Sequence, residues 1–244
     1  MVRLDQTLVA RGLVPSRARA QDLIRRGFVR VAGVVCDKPA FDVKGAPNIE
    51  LAADAPGFVS RGAEKLIAAL DHFAFDPAGT VALDIGASTG GFTEILLERG
   101  ARRVYAVDVG SAQLHPKLKG DPRVVALENC DARALSRELV PEPVGATVVD
   151  VSFISATKVL GSVLSLSAGD AWLVVLVKPQ FEVGRENVGS GGIVRDEAAR
   201  QRAVKDVVAW LSAQSGWKIA GEMTSPILGG SGNAEYLIGA RRYE

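Results

Sequence analysis

The sequence predicts an α/β protein: a mostly parallel sheet covered by helices, its last strand antiparallel, preceded by a small α+β unit. Three observations carry that expectation. From Ser60 onward, short Val/Ile/Leu-rich runs alternate with amphipathic stretches, the pattern of repeated βα units. Those runs are apolar almost throughout, Ala171 to Val177 being the longest, as strands buried on both faces require. Charge is also divided unevenly. Residues 1–45 hold nine Lys/Arg against four Asp/Glu, and residues 46–244 hold twenty against twenty-four, so a net charge of +1 conceals a +5 segment and a −4 body.

At 244 residues, 48% hydrophobic and 23% charged, the chain has room for one large domain and a small one. The expected division is 1–54, a linker at 55–59 where "APGFV" breaks the composition, and 60–244. No apolar run approaches the roughly 20 residues that cross a bilayer, and the N-terminal stretch lacks a signal-peptide core. The expectation is a cytoplasmic protein with no membrane partner. Cys36 and Cys130 stand far apart and read as buried free thiols in a reducing compartment.

In the first unit, "LDQTLVARG" reads as a short helix. Ser16 is placed to cap a second, "RARAQDLIRR", which closes at Gly27. Its Ala20, Leu23 and Ile24 share one face. "FVRVAGVVCDKP" then gives two short strands hinged at Ala32-Gly33. Arg17, Arg19, Arg25, Arg26, Arg30 and Lys38 crowd this helix and hairpin, with Asp22 the one acid in the stretch that holds the five arginines. That composition favours contacts to a phosphate backbone over a merely solvated face. The stretch "SRARAQDLIRRGFVRVAG" resembles an S-four-like RNA-binding domain.

In the second unit, "SRGAEKLIAALDHF" reads as a helix, "TVALDIG" as a strand and "GGFTEILLERG" as a helix ending at Gly100. "RRVYAVDVG", "RVVALEN", "GATVVDVSF" and "AWLVVLVKP" follow as strands. "RDEAARQRAVKDVVAWLSAQSG" is a long amphipathic helix, and "WKIAGEMTSP" with "NAEYLIGARRY" closes the chain as an antiparallel pair. "FEVGRENVGSGGIVRDE", between a strand and the long helix, is open to three readings: a lid, an RNA-contact loop or a solvated loop.

The turn "GASTGG" after the first of these strands admits three chemistries. A hydrolase elbow needs a later histidine, but His72 precedes Ser88 and His115 follows it by only 27 residues. A dinucleotide turn wants glycine where Ser88 stands. A Rossmann-like S-adenosylmethionine site fits best. Gly86, Gly90 and Gly91 permit close main-chain approach, and the next helix N-terminus can meet the ligand carboxylate. Asp84 can face the ligand ammonium, Asp108 at the next strand end can take the ribose hydroxyls, and Asp131 at the third can receive the adenine amine. The expected cofactor set is Asp84, Gly86, Ser88, Thr89, Gly90, Gly91, Phe92, Asp108, Val109, Asp131 and Ala132.

The acceptor is read from the fourth strand end, Asp150-Val151-Ser152-Phe153. It lacks the Pro-Pro-aromatic turn of exocyclic-amine methylation, and neither cysteine is placed for attack on a pyrimidine carbon. A hydroxyl acceptor needs a base or a cation for the developing alkoxide. Lys178 ends the strongest strand, at the carboxyl edge where ligands of open α/β sheets bind. Asp150 leaves a neighbouring strand there, Glu235 starts the final antiparallel strand, and Lys65 can reach across from the helix entering the sheet.

Lys65, Asp150, Lys178 and Glu235 resemble the Lys-Asp-Lys-Glu tetrad of FtsJ-like ribose 2′-O-methyltransferases. The stretches "SRGAEKL", "LDIGASTGGFTEILLERGA", "VDVSFIS", "VKPQFEVGRE" and "NAEYL" are similar to the TlyA (haemolysin A) branch. That resemblance implies S-adenosyl-L-methionine-dependent methylation of cytidine ribose, with ribosomal RNA or ribosomal subunits as partner and no metal. "APGFV" departs from the bulkier Arg- and Trp-containing linker expected of that branch. The rival reading is a non-catalytic RNA-binding assembly factor with a retained cofactor pocket; a pore-forming role is disfavoured by composition.

Overall fold

The computed structural model describes residues 2–45 and 47–243. It divides into two compact units, Met1–Arg61 and Gly62–Glu244. Residues 55–59, expected as a linker, fall within the first.

The first unit begins with α1 (Leu4–Ala10) and α2 (Arg17–Arg25). The Ser16 hydroxyl accepts the Arg19 amide at 3.2 Å, satisfying one of the donors a helix start leaves open. β1 (Val29–Val31) and β2 (Val34–Val35) form the expected antiparallel hairpin. Its central residues Ala32 and Gly33 both have positive φ, +51° and +80°, which matches the twist of the flanking strands. A third strand, β3 (Ile49–Leu51), pairs antiparallel with the other side of β1. Three residues of "IEL" are too short to show a period, so no pattern announces this strand. Leu4, Leu8, Ala20, Leu23, Ile24, Val29 and Ile49 make the core. Cys36 and Cys130 are free but half-buried rather than buried.

The second unit opens with α3 (Gly62–Phe73) and continues β4 (Val81–Ile85), α4 (Gly91–Glu98), β5 (Arg103–Val107), α5 (Pro116–Lys119), β6 (Val124–Leu127), β7 (Val144–Val149) and α6 (Thr157–Leu164). Then come β8 (Ser167–Val177), α7 (Pro179–Glu182), α8 (Glu197–Ser212), β9 (Trp217–Thr224) and β10 (Tyr236–Arg242). The sheet order is β6-β5-β4-β7-β8-β10-β9. The first five strands are parallel, and β10 lies antiparallel between β8 and β9. Apolar side chains from β4, β5, β7 and β8 pack against α6 and α8, so the sheet is the centre of the core.

Register lines up the site. Ile85 pairs with Val107 and with Val149, and Val177 pairs with Tyr236. The residues one step beyond these pairs, Gly86, Asp108, Asp150, Lys178 and Glu235, therefore stand along one edge of the sheet, the carboxyl edge of its parallel strands. Strain gathers there too. Ser88, Ala112, Asn129 and Phe153 follow β4, β5, β6 and β7, and all have positive φ without being glycine. Such conformations cost on the order of 1–3 kcal/mol each and persist where the surroundings fix them.

Candidate active site

The turn after β4 is built against the loop after β7. Gly86 has φ +80°, and a Cβ on it would lie 2.4 Å from the Asp150 carbonyl oxygen, so only glycine lets the two segments meet. Asp108 locks the neighbouring turns. Its carboxylate accepts the Ser88 amide at 2.8 Å and the Gly110 amide at 2.7 Å, leaving lone pairs for further donors. Ser88 is exposed and Thr89 half-buried, so both keep side-chain hydroxyls within reach, while Gly90 and Gly91 are buried and Phe92 is a core side chain, so these three offer main-chain groups only.

Asp84, expected to face the ligand ammonium, lies enclosed within β4. It is 0% exposed and accepts the Thr93 hydroxyl at 2.6 Å, while its other carboxylate oxygen has no hydrogen-bond partner. Burial, with the charges of Asp150 and Asp108 adding to it and the Thr93 bond opposing, pushes its pKa up to about 7. At the third strand end, Asp131 is held low by Arg133, whose guanidinium it meets at 2.5 Å. Val109 is exposed and Ala132 is buried.

The four tetrad residues form two ion pairs. Lys65, on the first turn of α3, meets Glu235 at 2.5 Å with side chains 5% and 3% exposed. Lys178 lies 2.6 Å from Asp150, a contact without hydrogen-bond alignment, and donates to the Ser152 hydroxyl at 2.8 Å. Ladder pairing of Val177 with Tyr236 sets Lys178 opposite Glu235, so the two pairs are neighbours across β8 and β10.

Sequence reasoning assigned no role to Ser152 or Glu182. Ser152 sits one alternation beyond Asp150, a signal that was present. Glu182 accepts the Ser155 hydroxyl at 2.6 Å and the Ala156 amide at 2.8 Å, tying α7 to the loop after β7. Burial raises its pKa, against the lowering effect of those bonds. Phe153 is 90% exposed and rests on Phe181 with ring centroids 5.0 Å apart. The glycine-rich segment after α7 is folded and pinned: the Asn233 carboxamide bonds to Val194 and Gly192.

In the first unit, Arg17, Arg25, Arg30 and Lys38 are exposed and Arg26 is half-buried. Arg19 corrects the sequence expectation. Its side chain is 3% exposed, pairs with Asp22 at 2.9 Å and bonds the Pro56 carbonyl, so it braces the unit's interior. It is buried on the face of α2 that carries Asp22, because the chain at Pro56 covers that face. Arg17 also reaches Asp5, at 2.9 Å, yet stays half exposed.

Residues 58–242 match the family model for FtsJ-like methyltransferases, and residues 2–46 match the S4 domain. The chain is 47% identical to the 16S/23S rRNA (cytidine-2′-O)-methyltransferase TlyA of Mycobacterium tuberculosis, over 98% of this chain and 89% of that one. It is 40% identical to Hemolysin A of Brachyspira hyodysenteriae, over 97% and 98%. Among solved structures, a "Putative hemolysin" from Streptococcus thermophilus aligns with TM-score 0.79 and 35% identity, covering 100% of this chain and 89% of that one. The chain belongs to the FtsJ-like methyltransferases, in the branch that joins this domain to an S4 domain and includes TlyA.

Proposed function

We propose that this chain transfers a methyl group from S-adenosylmethionine to the ribose 2′-hydroxyl of a cytidine in ribosomal RNA. The observation that carries the reading is the pairing of Lys178 with Asp150 and Ser152 beside the buried Lys65–Glu235 pair, at the edge where the glycine turn lies.

The cradle suits the cofactor. The close approach at Gly86, the Asp108 carboxylate with lone pairs to spare and the start of α4 would hold its amino-acid and ribose parts, with Val109, Asp131 and Ala132 on the adenine side. When bound, it supplies a methyl group on a sulfonium. A 2′-hydroxyl must lose its proton as its oxygen attacks. Lys178 is the residue placed to take that proton or to stabilise the alkoxide, with Asp150 and Ser152 fixing its direction. Glu235 and Lys65 fix the opposite wall, where burial keeps their pair short and undiluted by water. Phe153 offers an apolar face to a nucleobase drawn out of its helix.

Arg17, Arg25, Arg26, Arg30 and Lys38 would grip the RNA backbone without reading sequence. No helix among the described residues is long and apolar enough to cross a membrane, and none of their His, Cys, Asp and Glu side chains cluster as a metal site. The S4 match and the likeness to rRNA methyltransferases support reading the chain as acting where ribosomes are assembled, with ribosomal subunits as partner. Incubation with labelled cofactor and ribosomal subunits, followed by mapping of 2′-O-methyl positions, tests this. Label on a cytidine ribose supports the reading; bound RNA with no label supports a non-catalytic assembly factor.

A further inference from the structure

Asn233 lies two residues before Glu235 and is 2% exposed. Its carboxamide uses both ends. Oδ1 accepts the Val194 amide at 2.9 Å, and Nδ2 donates to the Gly192 carbonyl at 2.8 Å, joining segments about forty residues apart. The segment it holds is a tight glycine hairpin in which Gly189 bonds Ile193 at 3.0 Å and Gly191 has φ +76°. Val194, at its end, is fully buried.

The same residue is tied toward the tetrad. The Asn233 carbonyl accepts the Gly229 amide at 2.8 Å. Gly229 in turn packs so closely on the Glu235 carboxylate that a Cβ there would lie 2.4 Å from Oε1. The Glu235 carbonyl accepts the Ser225 amide at 2.9 Å, closing the loop between β9 and β10. An unbroken chain of contacts therefore runs from the glycine hairpin through Asn233 and Gly229 to Glu235 and Lys65.

We infer that Asn233 is a positioning residue for methyl transfer: it clips the 189–193 hairpin to the start of β10 and thereby sets Glu235 against Lys65 on the acceptor side. A side chain in this place must donate and accept at once while buried, since either backbone group left unpaired there is costly. Aspartate supplies only acceptors at neutral pH, and alanine supplies neither. A displacement of about 1 Å in a catalytic group can cost 10²-fold in rate, so a loosened clip acts at a distance from the acceptor oxygen. The inference rests on the function proposed above.

The test uses the full chain. Amide hydrogen exchange is followed without ligand, and transfer to ribosomal subunits is measured with kcat and KM separated. In Asn233→Ala, the Val194 amide loses protection, kcat falls about tenfold or more, and cofactor affinity stays within about twofold of the parent. Asn233→Asp keeps the Val194 bond, retains more of its protection and falls between the two in kcat. Gly191→Ala strains the hairpin without touching Asn233 or the tetrad, and it lowers kcat several-fold even if Asn233→Ala fails to fold. Val194 protection lost with kcat within about twofold of the parent would make the clip merely structural and overturn the inference. Unchanged protection in Asn233→Ala, or unchanged kcat in Gly191→Ala, would overturn it equally. A parent chain that methylates no ribose refutes the functional reading instead, and the exchange result then decides the clip alone.

Discussion

Glu235→Ala separates what the buried pair does for stability from what it does for chemistry. The substitution strands the Lys65 ammonium, 5% exposed, beside the space its 2.5 Å partner occupied. Breaking one side of a buried ion pair costs about 3–5 kcal/mol, because the remaining charge has neither water nor a counter-ion. Against a total stability on the order of 5–15 kcal/mol, that is from about a fifth of the margin to all of it. The double variant Lys65→Met/Glu235→Leu removes both charges and fills similar volume, so its stability lies within about 1 kcal/mol of the parent or above it. Both variants lose methyl transfer, because in both the acceptor-side wall has lost the Glu235 carboxylate. Urea unfolding followed by tryptophan fluorescence, with transfer assays on the same preparations, reads the two effects. A double variant as unstable as Glu235→Ala would refute the stranded-charge argument. A double variant that still methylates would remove the pair from catalysis.

Asp84 makes stability fall with rising pH. Its native pKa of about 7 lies above the ordinary 3.8, so the native state keeps a proton that the unfolded chain releases. The contribution is fully favourable below 3.8 and is lost as pH rises toward 7, amounting to about 3 kcal/mol between pH 5 and 8. Asp84→Asn abolishes that decline, as urea midpoints at the two pH values will show; an unaltered decline assigns it to other groups. Gly86→Ala pushes against the Asp150 carbonyl and lowers kcat by roughly 10²-fold, measured by single-turnover transfer. Replacing Arg25, Arg30 and Lys38 together with Gln weakens RNA binding and reduces the slope of log affinity against log salt by about 2–3, while cofactor affinity holds. Arg19→Gln instead lowers the thermal stability of the first unit, since that guanidinium is enclosed.

The sheet was legible because parallel strands buried on both faces leave nearly continuous apolar runs, and β4, β5, β7 and β8 each carry one. Asp150, Lys178 and Glu235 were legible for a related reason, since polar residues at the ends of such runs must stand at the sheet edge; Lys65, on α3, was not legible in that way and came from the resemblance. β3 was not, because three residues carry no period and the strand depends on β1 to form. Arg19 misled because a helical wheel gives a direction but not what lies opposite, here Asp22 and the Pro56 carbonyl. The burial of Asp84 was hidden likewise, since it depends on Thr93, nine residues on, closing over its carboxylate. Asn233 shows the same limit at longer range. Nothing in "GNAEY" announces that its carboxamide will meet Gly192 and Val194.

In the proposed reaction Lys178, aimed by Asp150 and Ser152, handles the proton of the acceptor hydroxyl. Calorimetric cofactor binding and transfer to ribosomal subunits, measured side by side on Lys178→Ala and the parent, test it most directly. Lys178→Ala is expected to bind cofactor within a few-fold of the parent and to give no detectable 2′-O-methylation. Transfer by Lys178→Ala at the parent rate would contradict it.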